Sequence, residues 1–504
     1  MMQPVPLSLF VIIGLYTVPW LNPFTFGPSP AVVPWLVAFG ATAAILLLLA
    51  LGRQKAGAEF WPRVAAGAWL LAAVLSCLLA LVQYYGAASA FAPWVNYTKE
   101  GEAFANLRQR NQFSTLTNIG LAALLWWTSQ LKPVARQVNL HRVWLVLAVL
   151  LALGNAVSSS RTGLVQWAML AVLAVLWGGW RSVAVRRVLA VYAVTYVLAL
   201  WVLPWSIGLE PFSNGAWARL KAGDSLCASR MTLWRNVLYL IEQRPWTGWG
   251  WGELDFAHFS TPYPGPRFCD ILDNAHNLPL HLAVELGVPV AVAVCGLLVL
   301  LVWRARPWAE KDATRQMAWA VLALIGLHSL LEYPLWYGPF QIAVGLSVLL
   351  LCQKRPGLLD VDYRPKRHSL KLLQASVAAL LIAICAYVGW DYHRISQIYL
   401  PPERRAEAYR DDTLVKASAS WLFRDQVRFA ELTTTTLTPQ NAEHQYSLAT
   451  ELLHFSPEPK VVEILIESAV QLQRWDEVRI RLAQFHAAFP KEHADWAAHH
   501  HLPL

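Results

Sequence analysis

Charge is what this 504-residue chain has least of. Asp, Glu, Lys and Arg together make 14% of it, against about 25% in soluble domains. Only 6 residues are Cys. The low charge excludes an ordinary soluble enzyme and, with 56% hydrophobic residues, a disordered chain. The few cysteines exclude a disulfide miniprotein. What is there in excess is apolar surface: 26 Trp, 12% aromatic residues and a mean hydropathy of +0.38. That composition describes a polytopic membrane protein. The formal net charge of +9 invites a nucleic-acid reading, so its distribution matters. From Asp391 onward there are 12 Lys+Arg and 16 Asp+Glu, a net of −4, which leaves +13 on residues 1–390. The excess sits between apolar segments, as a topology signal does, and predicts no nucleic-acid partner.

A hydrocarbon core of about 30 Å needs roughly 20 apolar residues as helix. Such segments occur at 7–21, 32–51, 64–85, 113–131, 143–157, 163–180, 185–207, 278–302, 317–331, 338–352 and 372–390. The expectation is about 11 transmembrane helices. The first has Pro flanks and lacks the basic start of a signal peptide, so it is expected to stay. The connections alternate in charge. One set carries Arg53, Lys55, Arg63, Lys132, Arg136, Arg142, Arg181, Arg186, Arg187, Arg304, Arg306, Lys311, Arg315, Lys354, Arg355, Arg364, Lys366, Arg367 and Lys371; the short opposite connections 22–30 and 333–337 carry none. Lys and Arg collect on the cytoplasmic side, so the N-terminus is read as cytoplasmic and the C-terminus as periplasmic.

Two regions are not membrane. The segment 208–277 is far longer than a usual helix connection, and such loops are commonly functional. Within it, Leu233, Trp234, Val237, Leu238 and Ile241 have helix spacing and predict a helix over 231–242 along the membrane face. The tail 391–504 is polar, with helical spacing near 415–430, 442–455, 460–471 and 475–489, punctuated by Pro439, Pro457 and Pro490. Tetratricopeptide-like helix pairs fit, without a clean repeat. The organisation read is therefore a transmembrane catalytic domain at 1–390, with its large periplasmic loop, and a periplasmic helical domain at 391–504. Cys77, Cys295, Cys352 and Cys385 lie in or at the ends of spans. Cys227 and Cys269 lie in the outer loop, on the oxidising side, and are expected to pair. Closing about 43 residues would be worth roughly 4 kcal/mol in the chain-entropy picture.

Polar residues gather beside the outer span ends in five clusters. They are Asn106, Arg108, Gln109, Arg110, Asn111 and Gln112; Ser158-Ser159-Ser160-Arg161-Thr162-Gly163; Ser229-Arg230 with Arg235; Asp273-Asn274-Ala275-His276-Asn277 with His281 and Glu285; and His328 with Glu332-Tyr333-Pro334-Leu335-Trp336-Tyr337. Each alone has an ordinary reading: a solvated helix start, an interfacial anchor, or a core histidine bonded to Glu332. Glu285, about two turns into its expected span, is costly there unless paired or wet. Together the clusters describe a wet cationic cavity opening outward. Guanidinium forks match phosphate oxygens, and a neutral His is suited to take a proton near pH 7. No paired-carboxylate magnesium site or Cys/His zinc site is apparent, so neither metal nor cofactor is expected. A hydroxyl displacing a phosphate leaving group fits these residues. Outside the membrane there is no ATP, so the activated donor would arrive on a lipid.

Four stretches then resemble a known family: Arg110-Asn111-Gln112-Phe113, Ser158-Ser159-Ser160-Arg161-Thr162-Gly163, Asn274-Ala275-His276-Asn277-Leu278 through Glu285-Leu286-Gly287, and Glu332-Tyr333-Pro334-Leu335-Trp336-Tyr337. They are similar to the bacterial O-antigen ligase superfamily, and within it to the O-linked protein oligosaccharyltransferases that glycosylate pilins and other periplasmic proteins. The likeness covers nearly the whole chain, including the long loop and helical tail. It implies an all-α fold like that of lipid-linked-sugar transferases in the bacterial inner membrane. It implies glycan transfer from undecaprenyl pyrophosphate to a hydroxyl on the periplasmic face, without a divalent metal. Carried over by motif, His276 falls on the essential histidine and Arg161 and Arg230 on the pyrophosphate-holding arginines. Asn111 and Gln112 fall in a polar activity motif, although Arg110 stands where many relatives have Pro. Asn277, Tyr333 and Tyr337 are expected to position substrate or acceptor, and His328, Glu332 and Glu285 to support them. His276 lies before its helix, flanked by Asn274 and Asn277, where substrate can reach it, and is expected to act as general base in an inverting transfer. The competing readings are an O-antigen ligase with lipid A-core as acceptor, a polymerase of lipid-linked repeats, and a transporter of lipid-linked sugars. A transporter should show internal repeats and midplane polar residues, and neither is visible in the sequence.

Overall fold

The computed structural model describes residues 7–52, 59–130, 138–212, 227–353 and 367–500. Of the expected cytoplasmic cations, Arg53, Lys55, Lys132, Arg136, Lys354, Arg355, Arg364 and Lys366 lie outside them, as do residues 213–226 of the outer loop. The described residues are helical and contain no strand. Ten of the eleven apolar segments centre each on one helix: α1 (Leu7–Leu21), α2 (Val32–Leu51), α3 (Phe60–Tyr84), α4 (Arg110–Ser129), α5 (Val138–Ser158), α6 (Arg161–Leu176) and α7 (Val183–Ser206), and later in the chain α12 (Ala313–Ser329), α13 (Gly338–Cys352) and α14 (Arg367–Ser396); the segment 278–302 is divided, and its longer part is α11 (Val288–Ala305). Among the described residues, 6 helices are long and apolar enough to cross a membrane, and Leu7–Leu21, Arg161–Leu176 and Gly338–Cys352 are shorter apolar helices. The chain is a membrane protein by this measure, since helices are what a single apolar segment can form in lipid.

The described residues divide into two compact units. The first lies within Met1–Thr25, Ser29–Ala222 and Val302–Tyr387. Its core is built of Trp69, Phe113, Leu116, Tyr192 and Phe340, interleaved with Ala65, Ala66, Ala72 and Ala73. Small residues let helix backbones approach where lipid gives no hydrophobic push. The connection after α3 is tied down by two buried amides. Gln83 donates to the Asn96 and Ala105 carbonyls and accepts from the Phe104 amide. Asn106 donates to the Leu21 and Trp94 carbonyls and accepts from the Asn96 amide.

The second unit lies within Phe26–Pro28, Gly223–Leu301 and Val388–Leu504. It holds α8 (Arg230–Gln243), α9 (Leu254–Ser260) and α10 (Leu278–Leu286), then α15 (Thr413–Ala417), α16 (Arg424–Thr434), α17 (Ala442–Leu452), α18 (Pro459–Gln471), α19 (Trp475–Ala488) and α20 (Pro490–His499). Phe259 of the loop is buried in the core of the tail, beside Leu448, Leu465 and Phe485. His454 meets Glu253 at 2.7 Å, and Gln484 donates to the Ser260 carbonyl.

Two expectations need correction. The apolar run 278–302 is not one span: it breaks at Gly287, φ +86°, into α10 and α11. The cause is a crossing backbone. A Cβ on Gly287 would lie 2.3 Å from the Trp246 carbonyl oxygen, and one on Gly248 would lie 2.3 Å from that of Glu285. The Trp249 and Gly250 amides donate to the Val284 and Glu285 carbonyls there. Glu285 therefore sits outside the span helix. The expected tail helix 415–430 is interrupted between α15 and α16 by a turn at 418–423, whose Ser420 hydroxyl and Leu422 amide both bond the Asp391 carboxylate. In the polar turn before α6, Ser158, Ser159 and Ser160 are buried.

Candidate functional site

In the first unit the polar motifs converge on the ends of α4, α6 and α12. Ser159 takes a left-handed backbone, φ +51°, and turns the chain so that Ser160 caps α6. The Ser160 hydroxyl accepts from the Gly163 amide at 3.1 Å and donates to Asn111 Oδ1 at 2.7 Å. Asn111 Nδ2 in turn donates to Glu332 Oε1 at 3.1 Å, and Ser114 reaches Ser160 at 3.0 Å. Residues 49 and 221 positions apart are thereby joined. Gly163 makes the meeting of the helices close: its carbonyl accepts from Asn118 and Asn155, and a Cβ there would lie 2.3 Å from Asn155 Oδ1 and 2.6 Å from Ser114 Cβ. Arg161 is the first residue of α6 and its side chain is exposed. A cation at a helix start is opposed by the helix dipole, while the same dipole favours an anion in front of it.

The other members have differing places. Gln112 is buried, and its backbone amide is capped by the Gln109 side chain. Arg110 pairs with Glu102 at 2.7 Å. Arg108 bonds the Pro23 carbonyl and Thr25. Asn106, Arg108 and Gln109 therefore hold the chain rather than face a ligand. His328 is fully buried, with Nδ1 at 3.0 Å from the Thr115 hydroxyl and Nε2 without a hydrogen-bond partner. That corrects the expectation that it bonds Glu332; the carboxylate is engaged by Asn111 instead. Tyr333 and Tyr337 stack with ring centroids 6.2 Å apart, both half-buried.

In the second unit the same local design recurs. His276 takes a left-handed backbone, φ +49°, and Asn277 follows as the cap of α10, accepting from the Leu280 amide. The turn is closed by Asn274 Oδ1, which accepts from the His276 amide at 2.8 Å, and by Trp234, which donates to the Ala275 carbonyl. A non-glycine residue at positive φ costs on the order of 1–3 kcal/mol and persists where its surroundings over-determine it. Arg230 opens α8 behind the cap Ser229. Cys227 and Cys269 are bonded, with Cα atoms 5.2 Å apart. Asn236 adds a second tie, donating to the Pro266 carbonyl and accepting from the Phe268 amide.

His281 and Glu285 lie one turn apart on α10, His281 Nε2 being 3.6 Å from Glu285 Oε2. Burial raises the Glu285 carboxyl to about 7 against the pull of the Gly252 amide. Burial, with His276 nearby, lowers His281 to about 4. Two features went unread in the sequence. The Gly248-Trp249-Gly250-Trp251-Gly252 turn folds over α10; its alternating glycines were the available signal. His258 is buried between the Tyr263 hydroxyl at 2.8 Å and the Phe268 carbonyl at 3.1 Å, and burial drives it down to about 3, so it is neutral and braces the loop. Among the described residues no group of three His, Cys, Asp or Glu could hold a metal ion.

Comparison with known proteins covers these motifs. Residues 103–127 match a family profile described as Protein glycosylation ligase, residues 146–295 one described as O-Antigen ligase, and residues 316–502 one described as Virulence factor membrane-bound polymerase, C-terminal. The chain is 24% identical over 385 residues to a General O-oligosaccharyltransferase of Acinetobacter baylyi, covering 72% of this chain and 62% of that protein. It is 26% identical over 248 residues to a ComP-specific O-oligosaccharyltransferase of the same organism, covering 49% and 43%. The chain thus spans less than two thirds of either relative. The resemblance to the O-antigen ligase superfamily and its O-oligosaccharyltransferases is borne out by these matches.

Proposed function

From its likeness to the O-antigen ligase superfamily, we propose that this chain is an O-oligosaccharyltransferase of the bacterial inner membrane. It moves a glycan en bloc from undecaprenyl pyrophosphate to a Ser or Thr hydroxyl of a periplasmic protein such as a pilin. The observation that carries the reading is the hydrogen-bonded set Glu332–Asn111–Ser160, which fixes the helix start that presents Arg161. Its members come from three stretches that match family profiles.

In this reading Arg161 and Arg230 hold the pyrophosphate through bidentate hydrogen bonds. His276 takes the acceptor hydroxyl's proton as the oxygen attacks the anomeric carbon. A new glycosidic C–O bond forms, the bond to the phosphate oxygen breaks, and the pyrophosphate leaves with the electron pair. Attack from the face opposite the leaving group inverts the anomeric centre. The arginines supply the charge stabilisation that a metal gives elsewhere, so no divalent ion is required. Asn111 and Glu332 position the Arg161 helix, Gln112 and Asn277 order the motif around them, and Tyr333 and Tyr337 offer an aromatic face to the acceptor. His328 and Glu285 are supports rather than bases. The topology proposed has eleven spans, a cytoplasmic N-terminus and both the loop and the tail in the periplasm. The shared core of loop and tail supports it, since four helices, α11 to α14, separate them, and an even number returns the chain to the same face.

The second reading keeps the chemistry and changes the acceptor. The match of residues 146–295 favours lipid A-core, and that of residues 316–502 favours a growing lipid-linked glycan. Co-expression with a lipid-linked glycan and a candidate pilin, in a strain lacking its own ligase, separates them. Glycan on the pilin supports the proposal; glycan on lipid A-core only, or lengthened lipid-linked chains only, overturns it.

A further inference from the structure

The opposite ends of the same helices enclose a second feature. A cavity of about 420 Å³ lies within the first unit, between the C-terminal ends of α4 and α6 and the N-terminal ends of α5, α7 and α12. That volume is in the range of small-ligand pockets. Along α4, Ser129 lies 18 residues from Asn111, about 27 Å at 1.5 Å per residue, so the cavity is at the far side of the bilayer from the Ser160 network. Its floor is apolar and buried: Leu170, Ala174, Met317 and Ala320. Its mouth is polar, with Ser129, His141, Ser182 and Gln316.

The charge around this mouth has one sign on four of the five helices. Between Glu102 and Glu210 the chain holds no acidic residue. Arg181, Arg186 and Arg187 are exposed within a few positions of the lining residues Gly179, Ser182 and Val185, and Arg142 follows His141. The carboxylates that flank the α12 end are engaged: Glu310 pairs with Arg315 at 2.8 Å and Asp312 accepts from the Arg315 amide as the helix cap. An apolar floor with a polar, cationic rim at a membrane-helix end fits a molecule with an acyl chain and an anionic headgroup; basic pockets between membrane helices on the cytoplasmic side bind such headgroups.

The geometry points to a binding site for an anionic phospholipid here, its acyl chain between α4, α6 and α12 and its phosphate at the Arg186–Arg187 end. In the topology proposed above this is a lipid of the cytoplasmic leaflet, remote from the chemistry, and the inference does not depend on the transfer reaction.

The test uses the full chain in nanodiscs of equal parts phosphatidylglycerol and phosphatidylcholine. The protein is extracted into mild detergent and retained lipid is counted by native mass spectrometry. The wild type should retain phosphatidylglycerol in preference to phosphatidylcholine. The double variant Arg186→Gln/Arg187→Gln should lose about thirtyfold of that preference, since each of the two cations near the surface contributes about 1 kcal/mol. Ala174→Trp should lose both lipids because the ring occupies the cavity. If that variant is not monodisperse, Ala320→Phe fills the same space from α12. Equal retention of the two lipids by the wild type, or wild-type retention in the filled variants, overturns the site. Retention of a prenyl-linked lipid in place of phosphatidylglycerol overturns it too.

Discussion

Gly163→Ala adds one methyl group where three helices meet, and its effect can be worked through. The new Cβ would stand 2.3 Å from Asn155 Oδ1 and 2.6 Å from Ser114 Cβ. Carbon atoms in contact sit about 3.5–4.0 Å apart, so α4 and α6 must separate by about 1 Å. Ser114 cannot swing away, because its Cβ is fixed to the α4 backbone. Overpacking of this kind costs about 1–3 kcal/mol, offset by up to about 1 kcal/mol from replacing glycine in a helix. The net expectation is a loss of about 1–2 kcal/mol. The functional loss should be larger in proportion. The separation pulls Ser160 from Ser114 and Asn111 and moves Arg161, and a 1 Å misplacement of a positioning group can cost about 10²-fold in rate. Gly40→Ala on α2, where nothing lies within 4 Å of the added atom, is the matched control. The assay is glycan transfer to a co-expressed acceptor, normalised to inserted protein, with thermal unfolding in detergent alongside. Gly163→Ala that transfers and melts like Gly40→Ala would refute the claim that this contact sets the site.

Three further outcomes follow from the same structure. Arg161→Lys and Arg230→Lys should each lower transfer by about 10–100-fold, because a point charge does not replace a fork whose charge-assisted bonds are worth about 1.5–3 kcal/mol; intact transfer in both would remove the clamp. Glu285→Gln should gain thermal stability over the wild type as pH rises. The carboxyl's folded value, raised to about 7 from 4.5, means that the wild type carries no burial penalty below 4.5 and the full penalty above 7; a constant difference between pH 5 and pH 8 would contradict the burial of the charge. Cys227→Ser should leave Cys269 open to a membrane-impermeant maleimide applied from outside and make the loop more sensitive to protease. Labelling of Cys269 in the unreduced wild type would deny the bond.

Much of the helical framework was legible because lipid imposes one simple rule, a long apolar run, and the segments on α1–α7 and α11–α14 obey it. The break at Gly287 was not, because Leu286 and Val288 continue the apolar run without interruption; the interruption comes from Gly248 crossing it from 39 positions away, which hydropathy does not register. The polar motifs were visible as clusters, and Ser160-Arg161 and His276-Asn277 carried the sign of helix starts. Their partners were not visible. Asn111 joins Ser160 and Glu332 across long stretches of chain, and a lone Glu332 or Ser160 looks like any other helix end. Asn106 stood in a cluster of site candidates because a buried amide that ties a loop and one that meets a ligand have the same sequence signature.

The central claim is that this chain transfers a lipid-linked glycan to a protein hydroxyl with His276 as the proton acceptor. The most direct measurement mixes purified wild type or His276→Ala with an undecaprenyl-pyrophosphate glycan and a purified pilin, in the presence of a chelator, and follows the intact mass of the pilin. The wild type should add one glycan mass to a Ser or Thr, releasable by β-elimination. His276→Ala, folded and still binding donor, should be slower by about 10²–10⁴-fold, the usual contribution of a general base. No glycan on the pilin while the donor is hydrolysed or lengthened, or full-rate transfer by His276→Ala, would contradict it.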